Sequence, residues 1–386
     1  MTRLLFFVGS PLTSTALFYR AGVLAQHLDK NRFETMVVSV ADRREDVGRT
    51  LTMGGLPIRT VGVGHYLLSD GQKTPLSPVQ YALEVTRTLR RVAAVARDFQ
   101  PDIVQTFSSL PVSLFVAWRA RRKYRVVADV DDLLVAQARA TATSRLTLKL
   151  LELVELGIPR RLQHVTVNSR YLNTLFPRAV RIPNMIRVAD FQLTLGAAER
   201  NAIKARYGID EATIAFVSTV TLYHGHFEIL DAIAKGNRKF VFVGGGEGEA
   251  RLRDAIRRQG LEDRIVCTGH LPHAEVIRIL NVVRVGILPM SNSPVHLARH
   301  PLKLLEYMAS GLCVVASKVG EAEELLRDGT GVLVAPGDMD ALIRAACAVT
   351  NPEHYSRAAV ATVQRFDVAR ITRDWEDLYA RVLQTA

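Results

Sequence analysis

The sequence predicts an α/β protein built from two doubly wound, Rossmann-like domains in tandem. Three observations lead there. Short apolar, β-branched runs alternate with helical patterns from end to end; the alternation is interrupted by one turn-rich break near the middle; and 386 residues are enough for two domains of ordinary size.

In the first half the strand-like runs are Leu4–Val8, Thr35–Val40, Ile58–Val61, Asp102–Thr106, Arg125–Ala128 and His164–Val167. Helical patterns separate them. In Tyr81–Arg97, for example, Leu83, Thr86, Leu89, Ala93 and Ala96 recur at helical spacing. The second half repeats the rhythm with Thr213–Ser218, Lys239–Val243, Arg264–Thr268, Val285–Leu288, Leu312–Ala316 and Gly331–Val334. Arg181-Ile-Pro-Asn-Met-Ile leads out of a strand into a segment without periodicity, so the boundary is placed within Ile182–Gly196. The first domain is read as residues 1–190 and the second as 191–367. Residues 368–386 carry Ile371, Trp375, Leu378, Tyr379 and Val382 along one face, a C-terminal helix that could pack back on the first domain. Tandem domains of this kind predict a crevice between them, with ligands bound outside the carboxyl ends of the strands.

Composition excludes several classes. At 48% hydrophobic and 23% charged residues the chain is neither disordered nor collagen-like. Cys267, Cys313 and Cys347 are scattered and odd in number, which argues against a disulfide framework and for a reducing, cytoplasmic compartment. Charge-free stretches are too short to cross a bilayer, and the apolar start lacks a cleavage site, so it reads as a buried first strand.

Charge is distributed unevenly. Residues 1–190 hold 27 basic and 15 acidic side chains, whereas the remainder holds 23 of each. The whole excess of +12 therefore belongs to the first domain. Arg87, Arg90, Arg91 and Arg97 share one helical pattern, and a second run spans Arg119–Arg125. Arg139, Arg145, Lys149, Arg160 and Arg161 flank the leucine-rich stretch Leu146–Leu156. Nucleic-acid binding would need stacking aromatics or a known motif, and neither is present. What remains is solvated helix faces, or a surface for anionic lipid headgroups or a lipid-linked pyrophosphate acceptor.

The sharpest segment for chemistry is His300-Pro-Leu-Lys-Leu-Leu-Glu-Tyr-Met-Ala-Ser-Gly-Leu-Cys-Val-Val-Ala-Ser317. Pro301 opens a helix on which Lys303 and Glu306, three apart, share a face. A helix start favours phosphate, Lys303 could meet a diphosphate, and Glu306 could accept from vicinal sugar hydroxyls. An exposed Lys–Glu pair is the alternative. Gly244-Gly-Gly-Glu-Gly follows a strand, but residue 249 is Glu and no acid ends the following strand, so a dinucleotide fingerprint is a poor match. A glycine turn lining a nucleotide crevice, or a simple strand-to-helix turn, fits better. Ser10-Pro-Leu-Thr-Ser-Thr occupies the first strand–helix loop, where hydroxyls could face a phosphate or cap a helix. Asp129-Val-Asp-Asp132 ends a strand; its carboxylates could orient acceptor hydroxyls or act as a base, or could merely cap a helix.

The segment around Lys303 closely resembles the Pro-x-Lys-x-x-Glu-Tyr-Met-Ala-x-Gly signature of family 4 retaining glycosyltransferases, whose fold is GT-B. The likeness continues through Phe216–Ile233, Phe240–Glu249, Leu261–Pro272, Val285–Pro289 and Gly331–Asp338, and more loosely through Pro101–Thr106, Val165–Arg170 and Val180–Asn184. It implies two Rossmann-like domains facing an interdomain cleft, and retaining transfer of a hexose from a nucleoside-diphosphate sugar to a carbohydrate or lipid-linked acceptor. The first domain would hold the acceptor and the second the donor. No metal or cofactor is expected.

Glu306 matches the family's second paired glutamate, the ribose contact. The position of the first is Ala298, and members with a lysine three residues before the conserved glutamate often lack it. Ser218 and His224 stand where the family places Arg and Lys. The donor-binding set implied is Ser10, Thr13, Ser218, His224, Gly244, Gly246, Glu247, Arg299, Lys303, Leu304 and Glu306, with Asp131 and Asp132 as catalytic candidates where the family often has His-Asp. Two alternatives stand beside this reading. One is a catalytically weakened homologue serving as a sugar-nucleotide binding or partner subunit. The other is a GT-A-like transferase holding a metal with Asp129 and Asp131.

Overall fold

The computed structural model describes residues 1–11, 17–69, 72–140, 144–221 and 225–385. Contacts divide the chain into two compact units, Met1–Met185 with Ala298–His300 and Val368–Ala386, and Ile186–Leu297 with Pro301–Asp367. The division thus falls five residues before the one read from the sequence, and it places a short piece of the second half in the first unit. Ile186 forms a parallel bridge with Asp367 and donates its N–H to the Phe366 carbonyl at 3.0 Å, so the second unit starts there. Residues 298–300 are tied to the first unit by Ser169, whose hydroxyl donates to the Ala298 carbonyl at 2.7 Å, and by Asn184, which donates to the His300 carbonyl at 2.8 Å.

The first unit is built on β1 (Thr2–Val8), β2 (Phe33–Ala41), β3 (Thr50–Met53), β4 (Leu56–Val63), β5 (Tyr66–Ser69), β6 (Gln72–Pro75), β7 (Ile103–Phe107), β8 (Arg125–Val130), β9 (His164–Val167) and β10 (Val180–Arg181). Eight of these form one sheet in the order β10-β9-β8-β7-β1-β2-β4-β3, parallel except at β3, while β5 and β6 make a separate hairpin. Alternating crossover helices produce this pattern, as the sequence predicts. The main helices are α1 (Pro78–Phe99), α2 (Pro111–Ala120), α3 (Leu134–Ala140) and α4 (Arg145–Gly157). Ser77 starts α1 with a capping box completed by Gln80, ahead of Pro78 at the first helical position. The helix stops at Gln100, which takes the left-handed conformation (φ 49°) before Pro101. Val92, Val95 and Phe99 on its inner face pack with Leu5, Phe7, Val104 and Val116.

The second unit holds β11 (Ile214–Val217), β12 (Phe240–Val243), β13 (Ile265–Cys267), β14 (Val285–Leu288), β15 (Cys313–Ser317) and β16 (Val332–Val334), all parallel, in the order β13-β12-β11-β14-β15-β16. Two of its helices matter below: α5 (His273–Leu280) and α6 (Leu302–Ala309). The final helix, α7 (Val368–Gln384), belongs to the first unit, where Trp375 and Tyr379 are fully buried and the Tyr379 hydroxyl donates to Gln105 at 2.7 Å.

Three short strands escaped the sequence reading. For β3 a signal existed: Gly54-Gly55 takes positive φ at both residues, the turn that pairs Met53 with Leu56.

Candidate active site

In the second unit the strand order reverses between β11 and β14, the point where an open parallel sheet leaves a crevice at its carboxyl edge. Ser218 follows β11, and α6 lies in the connection after β14, so both reach that point. Pro301 stands at the N-cap of α6, and Leu302, Leu304, Leu305, Tyr307 and Met308 are buried. Tyr307 fixes the helix against the sheet, because its hydroxyl accepts the Val217 N–H at 2.6 Å, one residue before Ser218. With α6 held so, Lys303 donates to Ser218 Oγ at 2.9 Å. Two residues 85 apart in sequence, both read as donor contacts, therefore meet.

Glu306 lies one turn further along α6 and is only 6% exposed. Its Oε1 is 3.0 Å from His273 Nε2, at the start of α5, and Phe191 stands edge-on to that imidazole with centroids 5.7 Å apart. The buried carboxylate is thereby oriented by a ring that itself packs against Phe191. His273 was missed, since nothing in the local sequence links it to a glutamate 33 residues away.

The glycine turn supports this site by close packing. A Cβ on Gly244 (φ +136°) would lie 2.2 Å from the Ser218 carbonyl, and one on Gly246 would lie 2.4 Å from the Val220 carbonyl. Only glycine lets the loop after β12 approach the loop after β11 so closely. Glu247 is exposed beside it. Leu304 is fully buried, and its N–H is turned to the Pro301 carbonyl at 3.1 Å. His224 lies outside the described residues.

In the first unit the order reverses between β1 and β7. Ser10 follows β1 and accepts the Ser39 hydroxyl at its carbonyl, 3.1 Å away; Thr13 lies outside the described residues. The Asp129–Asp132 segment divides into three roles. Asp129 is fully buried and chelates Arg20, with Oδ2–Nε at 2.5 Å and Oδ1–Nη2 at 2.6 Å, while Thr166 donates to Oδ1 at 2.6 Å. Arg20 is 2% exposed and also donates to the Pro183 carbonyl and Asn184, each at 3.2 Å. Asp132 is held just before α3: Oδ1 accepts the Leu133 N–H at 2.9 Å and Oδ2 accepts from Gln137 at 2.6 Å, with Arg299 at 3.6 Å. Asp131 is left as the proton-transfer candidate. Burial, then the carboxylates of Asp129 and Asp132, push it up to about 7.

Arg299, read as a donor contact, thus belongs to the first unit and pairs with Asp132 there. Its neighbour His300 is buried beside Arg20 and Arg181, and burial pulls its imidazole down to about 3. The GT-A-like alternative does not survive. It needs the Asp129 carboxylate for a metal, and both its oxygens are committed to Arg20 and Thr166. One more carboxyl was missed: Glu155 of α4 is fully buried, accepts the N–H groups of Leu134 at 2.6 Å and Val135 at 2.8 Å, and is pushed up to about 7 by burial.

Comparison with known proteins adds independent findings. Residues 211–351 match the profile of the family described as glycosyl transferases group 1. TuaH of Bacillus subtilis (strain 168), named for a glycosyltransferase role in teichuronic acid biosynthesis, is 23% identical over 296 residues, covering 72% of this chain and 70% of that protein. The 2-deoxystreptamine N-acetyl-D-glucosaminyltransferase of Streptomyces fradiae is 34% identical over 126 residues, covering 32% of this chain and 29% of that enzyme. Among solved structures, sucrose-phosphate synthase from Thermosynechococcus elongatus superposes with a TM-score of 0.80 at 16% identity and covers 100% of both chains. HepE of Anabaena, solved with UDP and glucose, gives 0.75 at 18% identity, covering 99% of this chain and 100% of HepE. The GT-B fold expected from the sequence is borne out.

Proposed function

We propose that this chain, a glycosyltransferase of GT-B fold, takes a hexose from a nucleoside-diphosphate sugar and transfers it with retention to a carbohydrate or lipid-linked acceptor, without a metal. The observation that carries the donor half is the Lys303–Ser218 contact at the strand reversal, with Glu306 oriented one turn away. Lys303 and the start of α6 stabilise charge on the departing diphosphate as the glycosidic bond breaks. Glu306 accepts hydrogen bonds from ribose hydroxyls, and His273 fixes which way its oxygens face. In the first unit Asp131, poised near neutrality, takes the proton of the acceptor hydroxyl as its oxygen bonds to the anomeric carbon on the face the diphosphate leaves, as retention requires, and Asp132 and Arg299 shape its surroundings. Retention and a metal-free mechanism rest on the resemblance to family 4. The basic first unit is the acceptor side, on the cytoplasmic face of a membrane.

A second reading, a binding subunit with little turnover, is motivated by Ala298. That residue is a buried alanine, which offers no carboxylate to a donor sugar. A thermal-shift panel of nucleotide sugars, followed by turnover assays on those that stabilise the protein, separates the two. Stabilisation with release of the nucleoside diphosphate supports the transferase. Stabilisation without release supports the binding subunit, and no stabilisation by any donor rejects both.

A further inference from the structure

We propose that α4 docks on the surface of an anionic lipid bilayer, its leucines among the acyl chains and its basic flank on the headgroups. Leu146, Leu150 and Leu153 are 69%, 56% and 65% exposed. Their spacing of four and three residues sets them in one stripe along the helix. Arg145 and Lys149 are exposed on the flank of that stripe, also one turn apart. The helix carries two carboxylates: Glu152 on the flank of Arg145 and Lys149, and Glu155 on the face opposite the leucines. Glu152 pairs with Arg139 at 2.8 Å, and Glu155 is buried on the opposite side.

The helix is fixed without the membrane: Ser144 caps it by accepting the Thr147 N–H at 3.2 Å. Three leucines are thus held in water by a preformed helix, an arrangement that costs free energy unless something apolar covers them. Charge selects the occupant. A second copy of the chain meeting this face would add its own Arg145 and Lys149 to an interface whose one unburied carboxylate, Glu152, already pairs with Arg139, and a glycan offers no apolar surface. An anionic bilayer offers acyl chains and negative headgroups together. No helix among the described residues is long and apolar enough to cross a membrane, so α4 lies on the surface.

The inner side of α4 leads to the candidate acceptor site. Both Glu155 oxygens hold the first turn of α3, which starts two residues after Asp132. The helix that touches lipid therefore also positions the Asp131–Asp132 segment. This last step alone rests on reading the first unit as the acceptor side.

The test uses the full chain and floats it with vesicles of phosphatidylcholine alone or in an equal mixture with phosphatidylglycerol. The native protein is expected to float with the mixed vesicles and to be released by salt. Leu146→Glu/Leu150→Glu/Leu153→Glu should bind at least about tenfold more weakly. These positions are exposed, and an unchanged thermal melt verifies the fold. Arg145→Ala/Lys149→Ala should lose the preference for the mixed vesicles. Failure of the native chain to float, or equal flotation of the leucine variant, overturns the proposal. So does self-association that the leucine variant abolishes without any vesicle binding, which would make a second copy the occupant. Thermal shifts with nucleotide sugars on the same variants read the donor site separately, so the two readings fail independently.

Discussion

Lys303 donates to Ser218 Oγ at 2.9 Å, across the point where the strand order of the second unit reverses. The contact places an ammonium at the carboxyl edge of the sheet beside the start of α6. If the proposed donor binds here, Lys303 should exchange the hydroxyl for a phosphate oxygen.

Lys303→Ala should therefore weaken nucleoside diphosphate binding by about 1.5–3 kcal/mol, roughly 10–150-fold in Kd. Nucleoside affinity should stay unchanged. Calorimetry with both ligands checks this; equal losses would reject a phosphate role. Ser218→Ala removes a neutral partner and should cost less.

Glu306 and His273 act as a pair. Glu306→Ala should abolish most ribose-dependent affinity, and His273→Ala should lose a smaller part by freeing the carboxylate to turn. In a double-mutant cycle the losses should fall short of additivity. Full additivity in calorimetry would show that His273 does not orient Glu306.

The difference between these two pairs marks how far the sequence was legible. Helix α6 and the strand β14 before it could be read from Pro301, the Lys303–Glu306 spacing and the short apolar run Val285–Leu288. Ser218 could be placed by its resemblance to a family position. His273 could not, because it reaches Glu306 only through the packing of α5 beside α6. Arg20 is the stronger example. Asp129 and Asp131, two apart, resemble a metal pattern in one dimension, and only the fold reveals that a residue 109 positions earlier occupies the first carboxylate. Glu155 is hidden for the same reason, as a helix cap supplied from another helix.

Arg20→Met leaves the Asp129 carboxylate buried and unpaired, and should cost about 3–5 kcal/mol of folding stability. Adding Asp129→Leu should recover much of that loss. Denaturant unfolding of the single and double variants measures it. A double variant as unstable as the single one would mean that the ion pair does not account for the cost.

Two carboxyls give a definite pH dependence. Asp131 and Glu155 are raised from ordinary values of 3.8 and 4.5 to about 7. Between those limits the folded chain keeps protons that the unfolded chain has released. Their contribution to stability is therefore complete below the ordinary values and fades as pH rises through about 7. Asp131→Asn should flatten that decline in denaturant titrations. If Asp131 is the base, kcat/KM should rise with pH through an apparent pKa of about 7, and the same variant should lose that limb. An unaltered rate profile would remove Asp131 from proton transfer.

The proposed retaining transfer from a nucleoside-diphosphate hexose leaves a stereochemical signature. It is tested most directly by following, with time-resolved proton NMR in the presence of EDTA, the sugar set free from an α-linked donor when water replaces the acceptor. The nucleoside diphosphate should be released and the α anomer should appear first, before mutarotation. A β anomer appearing first, or release that requires an added divalent cation, would contradict it.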